Sequence, residues 1–221
     1  MVVAIDGPAG VGKSTVAREI ARMTGFLYIN SGSFYRAITL AVLDRGVSPE
    51  DGASVLSAAL GRTLEMEGGN LVLDGRDVEG RIHGSDVDAW VAVHSAIPGV
   101  RDIVNKQLRE VAEKNDVVVE GRDIGTVVFP KAAVKVFLDA DVETRAARRH
   151  AQGVSDLSLA QIQQAIQERD LVDRTKPVGK LTAAPDALRI DSSHLTIQEV
   201  CERVRTAILV SRNNPGDIRR L

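Results

Sequence analysis

Residues 2–15 read Val2-Val3-Ala4-Ile5-Asp6-Gly7-Pro8-Ala9-Gly10-Val11-Gly12-Lys13-Ser14-Thr15. The β-branched run over residues 2–5 predicts a buried strand, and the glycines and proline after it predict a tight loop. From Ser14 onward Val16, Ile20 and Met23 recur at helical spacing, and Gly25 stops the pattern. The stretch from Gly7 to Ser14 satisfies G-x-x-x-x-G-K-[ST] at every fixed position, between a strand and a helix as that motif requires. Glycines let backbone N–H groups turn inward around a phosphate, and the opening helix adds the positive end of its dipole. The chain is therefore expected to bind a nucleoside triphosphate, with Lys13 reaching the β- and γ-phosphates and the Ser14 hydroxyl holding Mg²⁺. A glycine-rich turn with a solvated lysine is the bland alternative, disfavoured because pattern and context agree.

Working outward, three more apolar runs, at 26–29, 117–119 and 134–138, are each followed by polar residues and a helical pattern. That alternation predicts a mostly parallel sheet flanked by helices. Pro98 opens a helix with Val100, Val104, Leu108 and Val111 on one stripe, while Ser158 with Gln161 and Thr196 with Glu199 form capping boxes for two others. Residues 62–78 break the pattern: TLEME and NLVLDG alternate around Gly68, Gly69 and Asn70, which predicts a β-hairpin in a small antiparallel insert.

The chain has 221 residues, 44% of them hydrophobic, enough to bury a full core in one compact domain carrying inserts. No apolar run approaches the ~20 residues of a membrane span, and the first residues lack a basic segment and a long apolar one, so neither a membrane protein nor a secreted one is expected. One cysteine, Cys201, suits a reducing, cytoplasmic setting. Twenty-eight basic and 30 acidic residues give a net charge of −2, which excludes a general field for nucleic-acid polymers or anionic lipid. Any bound anion must be met by local clustering.

The loop alone does not choose among a GTPase switch, an ATP-driven motor and a small-molecule kinase. Asn105-Lys106-Gln107-Leu108 lacks the aspartate of a guanine-reading motif, and a motor is usually longer. A kinase whose acceptor is itself a phosphate needs arginine forks for a second anion. Candidates are Arg36 in SGSFYR, Arg122 and Asp123 after the run at 117–119, and Arg169 and Asp173 in ERDLVDR. Arg122 and Asp123 fall at a strand's carboxyl end, where open α/β sheets bind ligands, and Arg169 and Asp173 are four apart on one helix face. Singly, each reads as a surface ion pair; beside a phosphate cradle they favour a site.

IDGPAGVGKS, SGSFYR, VEGRDIGTVVFP with KVFLDA, and ERDLVDR together resemble the bacterial cytidylate kinases, a group of the nucleoside monophosphate kinases, from Val2 almost to the C-terminus. The hairpin is similar to the enlarged monophosphate-binding insert of that group. The resemblance implies one P-loop kinase domain over 1–221, with a central parallel sheet flanked by helices, an insert at about 61–97 and a short helical lid at about 148–174. It implies Mg²⁺-dependent phosphorylation of CMP, and of dCMP, by direct in-line transfer from ATP bound by Gly7, Pro8, Ala9, Gly10, Val11, Gly12, Lys13, Ser14 and Thr15. Ser31, Arg36, Arg101, Arg122, Asp123, Arg169, Asp173 and Lys176 would then hold the acceptor. Within that set Arg36 and Arg122 grip its phosphate, Arg101 and Asp123 read the cytosine edge, and Arg169 and Asp173 hold the ribose. Lys13 and the lid residues Arg148, Arg149 and Arg174 would stabilise the transferring phosphoryl group. The resemblance also implies a cytoplasmic monomer acting on small nucleotides. Three positions depart from the pattern: Ala92 stands where the group often has serine against the base, Lys176 where arginine is common, and Glu120 where aspartate also occurs.

His83, His94, His150 and His194 lack metal-ligand spacing and are read as surface or capping residues. Trp90 is expected to pack the insert, and Cys201 to be a small buried hydrophobe beside Ile197, Val200, Val204 and Ile208.

Overall fold

The computed structural model describes residues 1–153 and 157–213. They divide into two compact units: Met1–Ile29 with the chain from Asp116 onward, and Asn30–Asn115.

The first unit carries a five-stranded sheet of β1 (Val2–Asp6), β2 (Leu27–Asn30), β6 (Val117–Gly121), β7 (Val134–Asp139) and β8 (Leu188–Asp191), in the order β2-β6-β1-β7-β8. β1 pairs parallel with β6, in the register Val3↔Val118, and with β7, in the register Val3↔Val134; β7 pairs parallel with β8. A central parallel strand has no wet face, which is why residues 2–5 are continuously apolar and Val3, Ala4 and Ile5 are wholly buried. Helices α1 (Lys13–Thr24) and α8 (Ile197–Asn213) cover one face, Val16 and Ile20 meeting Val200, Val204 and Ile208 over Val3 and Ile5. Each such side chain contributes about 1.5–3 kcal/mol of burial. Met23 and Ile197 fall off these stripes and are exposed. Helices α6 (Val142–Ala151) and α7 (Leu159–Thr175) follow β7, joined through the small cluster Ala146, Ile162 and Ile166. Both expected capping boxes form, at Ser158 and at Thr196. Residues 154–156 of the stretch expected as a lid lie outside the described residues.

The second unit contains α2 (Ser31–Asp44), α3 (Gly52–Ala59), an antiparallel sheet of β3 (Leu64–Glu67), β4 (Asn70–Leu73) and β5 (Arg76–Asp77), then α4 (Ser85–His94) and α5 (Pro98–Lys114). The expected hairpin is β3–β4, turning through Gly68 and Gly69, both at positive φ. β4 departs from strict alternation: Leu71, Val72 and Leu73 are all buried. The stripe Val100, Val104, Leu108 and Val111 is buried as its spacing requires.

Three sequence expectations fail locally. The run at 117–119 leads not into an α-helix but into a π-helical turn, Ile124–Val128. β8 is unforeseen, because LRID is short and half-exposed. His94 is neither surface nor cap: wholly buried, it receives the Thr39 hydroxyl proton at Nδ1 (3.1 Å) and gives its Nε2 proton to the Pro49 carbonyl (3.0 Å), with Trp90 stacked on it. Burial holds its pKa below the usual histidine value.

Candidate functional site

The loop between β1 and α1 lies at the carboxyl edge of the parallel sheet, where strand order brings β6 and β7 to either side of β1. Gly7 packs directly beneath the β7 end: a Cβ there would run into the Leu138 carbonyl oxygen. Gly10 (φ +75°) and Gly12 (φ +95°) turn left-handed, so only glycine follows the path without strain. Gly12 caps α1 without a side-chain acceptor, and α1 has no acid in its first turn, leaving its positive end for an external anion. A cavity of about 670 Å³ opens beside the loop, lined by residues of the 10–16 stretch together with Arg148, Gln152, Ser192 and Thr196.

Lys13 is buried and donates to the Pro8 carbonyl at 2.7 Å, so the loop holds its own lysine. Burial, then the nearby Arg122 guanidinium, pull its pKa down to about 7 against the opposing pull of Glu120, Asp6 and Asp173. Asp6, at the end of β1, accepts two backbone N–H bonds from the π-helical turn, Ile124 at 2.8 Å and Gly125 at 2.7 Å. Burial outweighs those bonds and lifts the Asp6 carboxyl to about 6. Asp6 thereby fastens the turn that follows Arg122 and Asp123 to the strand that carries the loop. Sequence reading missed it because it sits at the end of an apolar run and its partners are 118 and 119 residues away.

Asp173, almost wholly buried on α7, gathers three cations. Arg122 Nε donates to Oδ2 at 2.8 Å, Lys176 Nζ donates to Oδ1 at 3.0 Å, and Arg169 Nε lies 3.6 Å from Oδ2. Burial by itself would raise the Asp173 carboxyl, but Arg122 and then Lys176 overcome it and hold it at about 2. Asp123 is buried, and its carbonyl receives the first bonds of the π-helical turn from Val127 and Val128.

The lid arginines separate. Arg148, which lines the cavity, donates to the Ser192 hydroxyl (3.2 Å) and carbonyl (2.6 Å), whereas Arg149 and Arg174 stand exposed. Arg145, which sequence reading passed over between more conspicuous arginines, is the buried one. It donates to the carbonyls of Ala140 (3.0 Å) and Ala9 (3.1 Å) and pairs with Asp170 at 2.7 Å, joining the loop to α6 and α7.

In the second unit α2 is capped by Asn30, whose side chain accepts from Gly32 N; Ser31 is the first residue inside α2 and is buried. Arg36 donates to the Ile82 carbonyl at 3.0 Å and pairs with Asp88 at 2.6 Å. Arg101 is buried over the Tyr35 ring and donates to the Ser95 carbonyl. The Ser95 hydroxyl donates to the Ala92 carbonyl.

A family model described as cytidylate kinase matches residues 3–209. The cytidylate kinase of Limosilactobacillus reuteri (strain DSM 20016) is 42% identical over 214 residues, covering 93% of this chain and 94% of its own. That of Caldanaerobacter subterraneus subsp. tengcongensis is 42% identical over 219 residues, covering 98% and 97%. A solved structure from Thermus thermophilus matches with a TM-score of 0.52 at 20% identity, over 95% of this chain and 96% of that one, a likeness of fold.

Proposed function

Since the chain belongs to the cytidylate kinase family, P-loop enzymes that phosphorylate CMP from ATP, we propose that its acceptors are CMP and dCMP and that the residues above divide the work as follows. Residues 7–15 cradle the ATP phosphates, with Lys13 on the β- and γ-groups. Arg36 and Arg122 grip the acceptor phosphate, Arg101 and Asp123 read the cytosine edge, and Arg169 and Asp173 hold the ribose. Ser31 and Lys176 complete the acceptor contacts, and Arg148, Arg149 and Arg174 serve the transferring group from the lid. The single observation that carries this reading is the buried Asp173, which gathers Arg122, Arg169 and Lys176 within electrostatic reach of Lys13. A surface ion-pair network has no reason to bury its carboxylate at a phosphate cradle.

No covalent intermediate is needed, since the acceptor phosphate oxygen attacks the γ-phosphorus in line and Lys13 with the arginines meets the charge that spreads over its oxygens. The donor set fits Mg²⁺: the Ser14 hydroxyl is a hard oxygen, and the buried Glu120 carboxylate supplies negative charge near Lys13. Among the described residues no group of three or more His, Cys, Asp or Glu could hold a metal ion by itself; a Mg²⁺ here would take its other ligands from phosphates and water. A Mg²⁺ held through Ser14 would supply charge neutralisation to the transferring phosphates. The proposal takes the chain as a cytoplasmic monomer working on small nucleotides; among the described residues no helix is long and apolar enough to cross a membrane.

Asp123 can accept from the exocyclic amino group of cytosine, whereas uracil presents a carbonyl that leaves the contact unpaired, a difference of ~1–3 kcal/mol. Asp123→Ala is expected to lower the CMP/UMP ratio of kcat/KM by about tenfold or more, with MgATP KM little changed. A coupled assay over CMP, dCMP, UMP, AMP and shikimate tests both points. Turnover of shikimate in preference to CMP, or slow ATP hydrolysis with no phosphorylated acceptor, contradicts the reading.

A further inference from the structure

Arg145, on α6, belongs to none of the contacts assigned to either nucleotide, yet its guanidinium holds the phosphate loop by the backbone. Nε donates to the Ala140 carbonyl at 3.0 Å, Nη1 donates to the Ala9 carbonyl at 3.1 Å, and Nη2 pairs with Asp170 Oδ2 on α7 at 2.7 Å. The side chain is buried, so these contacts are made largely out of water. Gly10 rests on the same residue: a Cβ there would lie 3.5 Å from Arg145 Cβ and 3.8 Å from Ile166 Cδ1.

Peptide geometry gives the grip a direction. The Ala9–Gly10 peptide is trans, and in a trans peptide the carbonyl and the following N–H point to opposite sides of the chain. A guanidinium that fixes the Ala9 carbonyl on its own side therefore fixes the Gly10 N–H away from itself. Among the described residues no group accepts from that N–H, and Gly10 lines the cavity beside the loop. A backbone donor held unpaired at a phosphate cradle is available to an anion. The ion pair points the same way. Apolar residues of similar volume often match a buried pair in stability, and Asp170 Oδ1 is buried without a hydrogen-bond partner, so this pair is a poor brace. What apolar residues could not do is hold the Ala9 carbonyl.

We propose that Arg145 is a positioning residue for the phosphoryl donor: by holding the Ala9 carbonyl, with its guanidinium anchored on Asp170 and the Ala140 carbonyl, it keeps the Gly10 N–H turned toward the triphosphate. The inference rests on the reading of residues 7–15 as the ATP cradle made above.

The test is the double variant Arg145→Met with Asp170→Leu, which replaces the buried pair by an apolar one and releases Ala9 while sparing the core. Affinities for the β,γ-imido analogue of ATP, for inorganic tripolyphosphate and for CMP are measured by calorimetry. Both triphosphates are expected to bind about tenfold more weakly, the scale of one hydrogen bond to a charged group, and CMP as in the wild type. In ¹⁵N-labelled protein the Gly10 amide proton should move downfield when the analogue is added to the wild type and stay in place in the variant, a signature that a merely structural role would not produce. Should the double variant fail to fold, Arg145→Lys takes its place: it keeps a charge for Asp170 but cannot serve three acceptors at once, and the same selective loss is expected. Unchanged triphosphate affinity, equal weakening for CMP, or a Gly10 amide that answers the analogue alike with and without Arg145 overturns the role of Arg145. A wild type that binds neither triphosphate overturns the cradle reading, and the inference with it.

Discussion

Lys13→Ala is expected to lower kcat for phosphoryl transfer to CMP by at least about 10³-fold, with CD spectrum and melting behaviour close to wild type. The magnitude follows from position. Lys13 is buried at the head of α1 and already oriented by the Pro8 carbonyl, so its charge acts on the γ-phosphoryl group with little screening and little reorganisation. Removing one preorganised donor from such a site costs about 10²–10³ in kcat, and a positive group on a transferring phosphoryl is worth about 10³–10⁵. Lys13→Arg is not expected to rescue, because a bulkier planar guanidinium cannot keep the buried ammonium's single bond to the Pro8 carbonyl. A second readout follows from the pKa. Burial holds free Lys13 at about 7 instead of 10.5, so between those values ATP, by bringing negative charge to it, draws a proton from solution. Calorimetry in buffers of differing ionisation enthalpy should find that uptake in the wild type and lose it in Lys13→Ala. Unchanged kcat would remove the lysine from the mechanism.

Arg122→Ala is expected to cut kcat/KM for CMP by about 10²- to 10³-fold while changing the affinity for MgATP far less. Of the five N–H donors of a guanidinium, Arg122 commits Nε to Asp173 and one at Nη1 to the Gly121 carbonyl, so donors remain for an acceptor phosphate. Arg122→Lys should recover little, since a point charge cannot both pair with Asp173 and fork a phosphate. The variant also has a signature in stability. Asp173 is held at about 2 against an ordinary 3.8, a depressed acid, so its stabilisation is fully present above pH 3.8 and lost as pH falls through about 2. That window is worth roughly 2 kcal/mol, most of it owed to Arg122. In Arg122→Ala the acid unfolding midpoint should therefore move up, and pH titration of the melting temperature would show it. An equal loss of ATP and CMP binding would mark Arg122 as structural only.

What the sequence made legible was whatever local rules govern. Gly7 to Ser14 could be read because a phosphate loop fixes residue type at every critical backbone angle, and the structure puts Gly10 and Gly12 in conformations that enforce it. The stripes on α5 and α8 and the boxes at Ser158 and Thr196 were legible because helical geometry repeats every few residues. The illegible features are set by partners remote in sequence. Asp6 becomes a clamp only when the turn at Ile124 and Gly125 arrives across the sheet, and the π-helical turn itself has no spacing signature. Arg145 is told apart from Arg148 and Arg149 only by which way α6 faces. His94 reads as polar, yet the Thr39 hydroxyl and the Pro49 carbonyl satisfy both its nitrogens and allow it into the core. The same holds for Tyr28: nothing at a strand position announces that a glutamate 92 residues away will accept its phenol proton.

The proposed function requires that Lys13 and Arg122 serve a single run of phosphates from opposite ends. Its most direct test is the affinity of adenosine and cytidine joined through their 5′ positions by a chain of phosphates, measured by calorimetry on the wild type, Lys13→Ala and Arg122→Ala. The prediction is that the joined molecule binds much more tightly than ATP or CMP alone, and that each substitution separately removes about tenfold or more of that affinity. A joined molecule that binds no better than ATP, or one whose affinity is indifferent to Arg122→Ala, contradicts it.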